Sequence, residues 1–391
     1  MSQKKGFSLK VFIKSFRNYR AYYKLHPDFR NIVIYSESGQ DWHHFSDIIG
    51  KLLDMGNKVT YVTSDLQDQG LSFAHPEFRS IFIGDGFWLI TFFQFLKADC
   101  LVLTMIDLNI FQLKRSINPV HYIYLFHAMG STHMVDFESS YDHYDTILCS
   151  GQHQIDEIRK RESLKNLPAK NLVPHGYARI ENLMKQASVR SHKSVKPYTV
   201  LIAPTWGPNS IMNICGKKLV TILLDAGFKV ILRPHYQTAK LTPEVIQDIL
   251  DTCSGNSLFS HVSKMGDTDS LFDSDILICD WSSMSIEYAL GLEKPVLYID
   301  VPKRVRNNNY TELGLEPMEI SIRNQVGAVL SPDNLSGAPS LINSLCENPE
   351  KFKAGIRQFR EKVVFNLGNS VAVGAAAIAE IADKVKVKEA M

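Results

Sequence analysis

From Asn31 onward the chain alternates short apolar, β-branched runs with stretches whose apolar positions recur at helical spacing. Residues 32–35, 59–62, 81–83, 101–103 and 122–125 are the first strand candidates. They are apolar at nearly every position rather than at every second one, so they are expected to be covered on both faces, as in a parallel sheet. Between the first two runs, Phe45, Ile48, Ile49, Leu52 and Leu53 form one helical stripe, and Gly56 supplies its stop. A second series runs through 199–203, 230–232, 276–278 and 296–299. Helical patterns near 333–346, 350–364 and 370–384 then follow without intervening strands. Alternation of this kind predicts doubly wound α/β domains.

The stretch 185–197 breaks the alternation. It is polar, basic and poor in large apolar residues, and reads as a linker. A chain of 391 residues holds two domains of roughly 150–200 residues each. The expected fold is therefore GT-B: two doubly wound Rossmann-like domains facing a cleft, with a helical C-terminal end. The expected boundaries are a basic amphipathic segment 1–27, a first domain 28–190, a second domain 191–366, and a C-terminal helix 367–391 that returns to the first domain.

Composition narrows the function. With 45% hydrophobic and 21% charged residues the chain is globular rather than disordered, and a net charge of +2 gives no broad basic surface for nucleic acid. Six scattered cysteines without a C-x-x-C pair read as small buried hydrophobes in a reducing compartment. No secretory h-region and no spanning run is visible, so a cytoplasmic location is expected. One local exception is the run of Lys4, Lys5, Lys10, Lys14, Arg17, Arg20 and Lys24, interleaved with Phe12, Phe16, Tyr19 and Tyr23. Such a helix either lies at the inner face of an anionic membrane or packs against the first domain, and the sequence leaves both open.

In open α/β sheets ligands bind beyond the carboxyl ends of strands. Ser282 and Ser283 follow Asp280 directly after one strand and open a helix, a pattern suited to phosphate oxygens; Glu287 completes a plain capping network in the alternative reading. Arg233 and His235 follow another strand and offer a bidentate fork and a proton donor. His127 ends a strand of the first half, ahead of Gly130, Ser131 and His133, and suits a general base. Thr205 opens the loop after the first strand of the second half. Asp41, His43 and His44 have no recognised ligand spacing and read as helix-start residues, and Asp267, Asp269, Asp273 and Asp275 as capping and solvated charges. No metal-ligand set is visible, so no metal or other cofactor is expected. The fingerprints of P-loop kinases, dinucleotide oxidoreductases and elbow-type hydrolases are missing from the sequence.

Taken in order, His127 with Gly130, the run 176–183 beginning Gly176-Tyr177-Ala178-Arg179, Ala203-Pro204-Thr205-Trp206, Arg233-Pro234-His235 and Asp280-Trp281-Ser282-Ser283 resemble the CDP-glycerol glycerophosphotransferases of teichoic-acid and capsule synthesis. The resemblance implies transfer of a polyol phosphate from a CDP-linked donor to a hydroxyl of a surface glycan or teichoic-acid-like polymer, an acceptor that could be lipid-linked, with release of CMP. It makes the first domain the acceptor side and the second the donor side. His127 becomes the base, and Arg233, His235, Asp280, Ser282, Ser283, Thr205 and Glu287 the donor-side residues; Gly130, Ser131, His133, Gly176 and Arg179 line the cleft. Two basic positions of the family pattern are lost. The lysine after the first histidine is missing, with His133 as a stand-in, and Gly207 replaces the arginine of Pro-Thr-aromatic-Arg. The alternative is a GT-B glycosyltransferase using a UDP- or CMP-linked sugar, or a nucleotide-sugar 2-epimerase of the same fold.

Overall fold

The computed structural model describes residues 8–190, 194–263 and 268–390. Lys4, Lys5 and Asp267, named above, lie outside these residues, as does the middle of the expected linker.

The chain forms two compact units. The first comprises the described residues up to His127, Asp136–Ala178, and those from Val364. Its strands are β1 (Ile32–Ser36), β2 (Val59–Thr63), β3 (Phe78–Phe82), β4 (Cys100–Leu103), β5 (His121–Leu125), β6 (Thr146–Cys149) and β7 (Asn171–Pro174). They form one sheet in the order β3-β2-β1-β4-β5-β6-β7 with every pairing parallel. All residues of β1, β2, β4 and β6 are buried, which is why these strands carry no polar alternation. One face packs on helices α2 (Trp42–Asp54) and Ser370–Ala390, joining Phe45, Ile48 and Leu52 to Ala375, Ile378 and Ala379. The other packs on α1 (Leu9–Lys24) and α3 (Phe87–Phe95) through Tyr22, Phe92 and Phe93.

The second unit comprises Ala128–Val135 and Arg179–Val363. Its strands are β8 (Thr199–Ile202), β9 (Lys229–Leu232), β10 (Phe259–His261), β11 (Ile276–Cys279), β12 (Val296–Ile299) and β13 (Gly327–Leu330), ordered β10-β9-β8-β11-β12-β13, again all parallel. In both sheets the order reverses beside the first strand, the switch point of doubly wound folds.

Several boundaries differ from expectation, each for a packing reason. Helices α4 (Gln152–Lys165) and α5 (Ala178–Val189) follow β6 and β7. From Arg179, α5 belongs to the second unit rather than the first: Leu183 lies against Gly291, where an added Cβ would come within 2.8 Å of the leucine. Residues 184–189 are the last turns of that helix, exposed or half-buried, so their polarity belongs to a helix end. Ala128–Val135 crosses to the second unit because Met134 is buried in its core and its carbonyl accepts from Arg306 N at 3.0 Å. Within the expected segment 1–27, the described part from Ser8 packs on the first unit through α1. Phe12, Phe16 and Tyr19 ring the Trp88 indole at 4.8–5.5 Å between centroids, and the Tyr22 and Tyr23 hydroxyls donate to the carbonyls of Lys97 and Phe95 at 2.7 Å. The domain-packed reading of its aromatic face is therefore the one the chain adopts, while Lys10, Lys14, Arg17, Arg20 and Lys24 remain exposed.

Candidate functional site

In the second unit, the polar residues of four strand ends come together at the carboxyl edge of the sheet. Asp280 follows β11 and is 1% exposed. Its Oδ1 accepts from Thr205 N at 2.7 Å and from Trp281 N at 2.8 Å, and its Oδ2 from Ile211 N at 3.1 Å. One carboxylate thus ties the loop after β8 to the turn after β11. Burial pushes its carboxyl up, against the opposing pull of these N–H donors. Ser282 and Ser283 are half-buried at the start of helix Met284–Leu292. The Ser282 hydroxyl accepts from Met284 N at 3.3 Å, whereas the Ser283 side chain makes no capping bond. Beneath the turn, the Arg323 guanidinium lies 3.9 Å from the Trp281 ring and pairs with Asp300 at 2.6 Å, while Trp281 Nε1 donates to Val301 O at 2.8 Å. Trp281 is therefore pinned on two sides, and the turn 280–283 is held with it.

Arg233 and His235 follow β9, next to β8 in the sheet. Arg233 N donates to Ile202 O at 2.9 Å, which keeps the strand pairing to its last residue. His235 caps the helix Tyr236–Leu241: its Nδ1 accepts from Gln237 N at 3.1 Å, so the ring proton sits on Nε2 and that nitrogen is a donor. Burial, and next the Arg304 guanidinium, push His235 down to about 4. Near neutrality it is an uncharged hydrogen-bond donor rather than the source of a proton.

His127 stands two residues past β5 in the first unit, half-buried. Its Nδ1 and the Tyr124 hydroxyl are 3.1 Å apart, and its carbonyl accepts from Tyr177 Oη at 2.8 Å. His44 approaches to 5.9 Å between ring centroids, so the helix-start histidine set aside above is a neighbour of His127. Tyr124 packs edge-on against Tyr141, whose hydroxyl donates to Asp136 at 2.5 Å.

The remaining expected site residues sit elsewhere. Ser131 N donates to the buried Glu319 carboxylate at 3.0 Å, and a Cβ at Gly130 would come within 2.5 Å of the same oxygen. Both are fastened inside the second unit. His133 is 4% exposed and its Nε2 donates to Leu315 O at 3.2 Å, so it does not stand in for the missing lysine. Gly176 (φ 104°) is buried against Phe365 and Ser370, a structural glycine rather than a lining one. Arg179 and Glu287 pair with each other at 3.2 Å, joining α5 to helix Met284–Leu292. Sequence reasoning missed Tyr124, Arg304, Glu319 and Arg323. Only Tyr124, inside a strand and three residues before His127, carried any signal.

Two Rossmann-like units of this topology define a GT-B-type fold. A model of the CDP-glycerol:poly(glycerophosphate) glycerophosphotransferase family matches residues 92–303. The chain belongs to that family and is a transferase of the glycerophosphotransferase kind. Among solved structures, the wall teichoic acid polymerase TagF is similar with a TM-score of 0.58 at 15% identity, over 97% of this chain and 99% of that one. A protein of Listeria monocytogenes described as a UDP-N-acetylglucosamine 2-epimerase gives 0.58 at 12% identity, over 89% and 95%. WaaG, a glycosyltransferase of lipopolysaccharide biosynthesis, gives 0.52 at 11%, over 89% and 99%. At these identities the likenesses establish the fold. No curated protein matches the chain by sequence. Among the described residues, no helix is long and apolar enough to cross a membrane, and no three His, Cys, Asp or Glu side chains are grouped to hold a metal ion.

Proposed function

We propose that the chain transfers glycerol phosphate from CDP-glycerol to a hydroxyl of a teichoic-acid- or capsule-type polymer and releases CMP. The observation that carries this reading is the Asp280-centred edge of the second sheet, where Thr205, Arg233, His235, Ser282 and Ser283 gather in a chain of this family. In the reaction the acceptor oxygen forms a bond to the donor's β-phosphorus. The bond from that phosphorus to the bridging oxygen breaks, and CMP departs with the oxygen. Arg233, the Nε2–H of His235 and the serine hydroxyls neutralise and orient the phosphates, the dominant contributions in phosphoryl transfer.

The acceptor proton goes to Nε2 of His127. For that role Nδ1–H donates to the Tyr124 oxygen, leaving the lone pair on Nε2; the 3.1 Å contact suits this tautomer. The exposed basic face of α1, with Leu9 and Ile13 also exposed, supports peripheral contact with an anionic membrane, where a lipid-linked acceptor would be met.

The test is incubation with CDP-glycerol, CDP-ribitol, UDP-N-acetylglucosamine and CMP-linked sugars while the released nucleotide is identified. CMP from CDP-glycerol is expected. Release of UDP without CMP refutes the reading.

A further inference from the structure

A diphosphate donor brings concentrated negative charge, and the loop after β8 offers little to meet it: Gly207 occupies the position where the family pattern has arginine. That glycine has φ 102° and nothing within 4 Å of an added Cβ, so the spot is open rather than filled by a neighbour. Positive charge reaches the same edge from another strand. The loop after β12 reads Lys303-Arg304-Val305-Arg306, three cations in four residues with no acid among them. The Arg304 guanidinium lies over the Trp206 ring, 5.0 Å from its centroid. Trp206 in turn faces the His235 imidazole at 6.2 Å and 33°. Arg304, Trp206 and His235 are thus brought side by side from the ends of β12, β8 and β9, all within the second unit.

Stacking engages one face of a guanidinium and leaves its in-plane N–H groups directed around the rim, the geometry in which arginine meets phosphate bidentately. We propose that Arg304 is a donor-phosphate ligand, held on Trp206 beside His235, and that it supplies from the β12 loop the cationic charge absent at Gly207. The proposal rests on the CDP-linked donor reading above and adds to it a residue and a platform. The same guanidinium also helps keep His235 uncharged. The division of labour is a fixed cation from one loop and a neutral donor from the next.

The test measures equilibrium binding of CDP, CMP and cytidine to the full chain and to R304A, R304K and W206L. A charge-assisted bidentate contact is lost in R304A, so CDP affinity is expected to fall about 10- to 100-fold. CMP affinity should fall less and cytidine affinity stay unchanged. R304K should recover part of the CDP loss, and W206L should reproduce part of it. CDP binding by R304A equal to that of the parent chain overturns the proposal, as does an equal loss for CDP and cytidine, which marks a collapsed loop. If the parent chain binds UDP and not CDP, the CDP-donor reading fails, and UDP against uridine decides on Arg304 by the same criterion. If it binds neither diphosphate, both fail.

Discussion

Asp280 ties the loop after β8 to the turn after β11, and its replacement has a calculable outcome. Substitution by alanine removes the acceptor for three buried N–H groups, those of Thr205, Trp281 and Ile211. A buried donor left without a partner costs about 1–3 kcal/mol, so the three together set an upper range of about 3–9 kcal/mol. Against this stands the desolvation of the carboxylate itself, whose upward-pushed pKa marks burial as the larger influence, and which disappears with the side chain. A net loss of about 3–5 kcal/mol is expected, the lower part of the unsatisfied-donor range. Asparagine separates the contributions. Its oxygen can keep the two bonds at Oδ1, while its amide faces the Ile211 N–H, a donor against a donor, for a loss of about 1–3 kcal/mol. Hydrogen exchange read by mass spectrometry over residues 203–212 and 279–284, with urea unfolding alongside, measures both variants. Alanine should expose these amides most and asparagine chiefly Ile211. If D280A keeps parental protection at all three and unfolds within about 0.5 kcal/mol of the parent, the carboxylate does not hold the edge together.

Four further outcomes follow from the geometry. His175 is 2% exposed and pushed by burial to about 4, below its unfolded value near 6.5; the unfolded chain therefore binds the extra proton first. Its stability contribution is complete above about pH 6.5 and is lost as pH falls toward 4, about 3 kcal/mol in all, and H175F should flatten that part of the stability–pH curve. Y124F removes the partner of His127 Nδ1 and should lower kcat about 10-fold or more with KM little changed; an unchanged kcat would contradict the assigned tautomer. G176A would drive a Cβ to within 2.3 Å of Phe365 O at φ 104°, costing about 2–4 kcal/mol and freeing the C-terminal segment to protease; equal resistance to cleavage counts against it. Reversing Lys10, Lys14, Arg17 and Arg20 to glutamate should abolish sedimentation with anionic vesicles, since each basic residue contributes about 1 kcal/mol at such a surface; undiminished sedimentation would remove the membrane contact.

The doubly wound character was legible because most buried parallel strands read as apolar runs: β1, β2, β4, β5, β8, β9, β11 and β12 coincide with such runs, and β3 (Phe78–Phe82) overlaps the expected 81–83 only at its end. The four strands passed over fail to announce themselves for different reasons. β6 is as short and as buried as β11 and was passed over with no distinguishing feature, whereas β7, β10 and β13 are partly exposed edge strands with mixed composition. The polar residues gathered at the edge of the second sheet were legible where they closely follow a strand, as Arg233, Asp280 and Ser282 do. Arg304 was not, because a residue five positions into an irregular loop has no periodicity to place it. The crossing of Ala128–Val135 was equally hidden, for Met134 looks the same in sequence whichever core receives it.

The return of helix Ser370–Ala390 to the first unit has a consequence for synthesis. The apolar face formed by Ile34, Ile48, Val102 and Ile123 is completed by Ala375, Ile378 and Ala382, roughly two hundred residues downstream of β7. A nascent chain has all of the second unit's sequence outside the ribosome before that helix emerges. The second unit can thus mature while the first still waits with one side of its sheet covered only by α2. For that interval the first unit is the natural client of a chaperone, and the last helix, rather than the N-terminal strands, sets when it becomes independent.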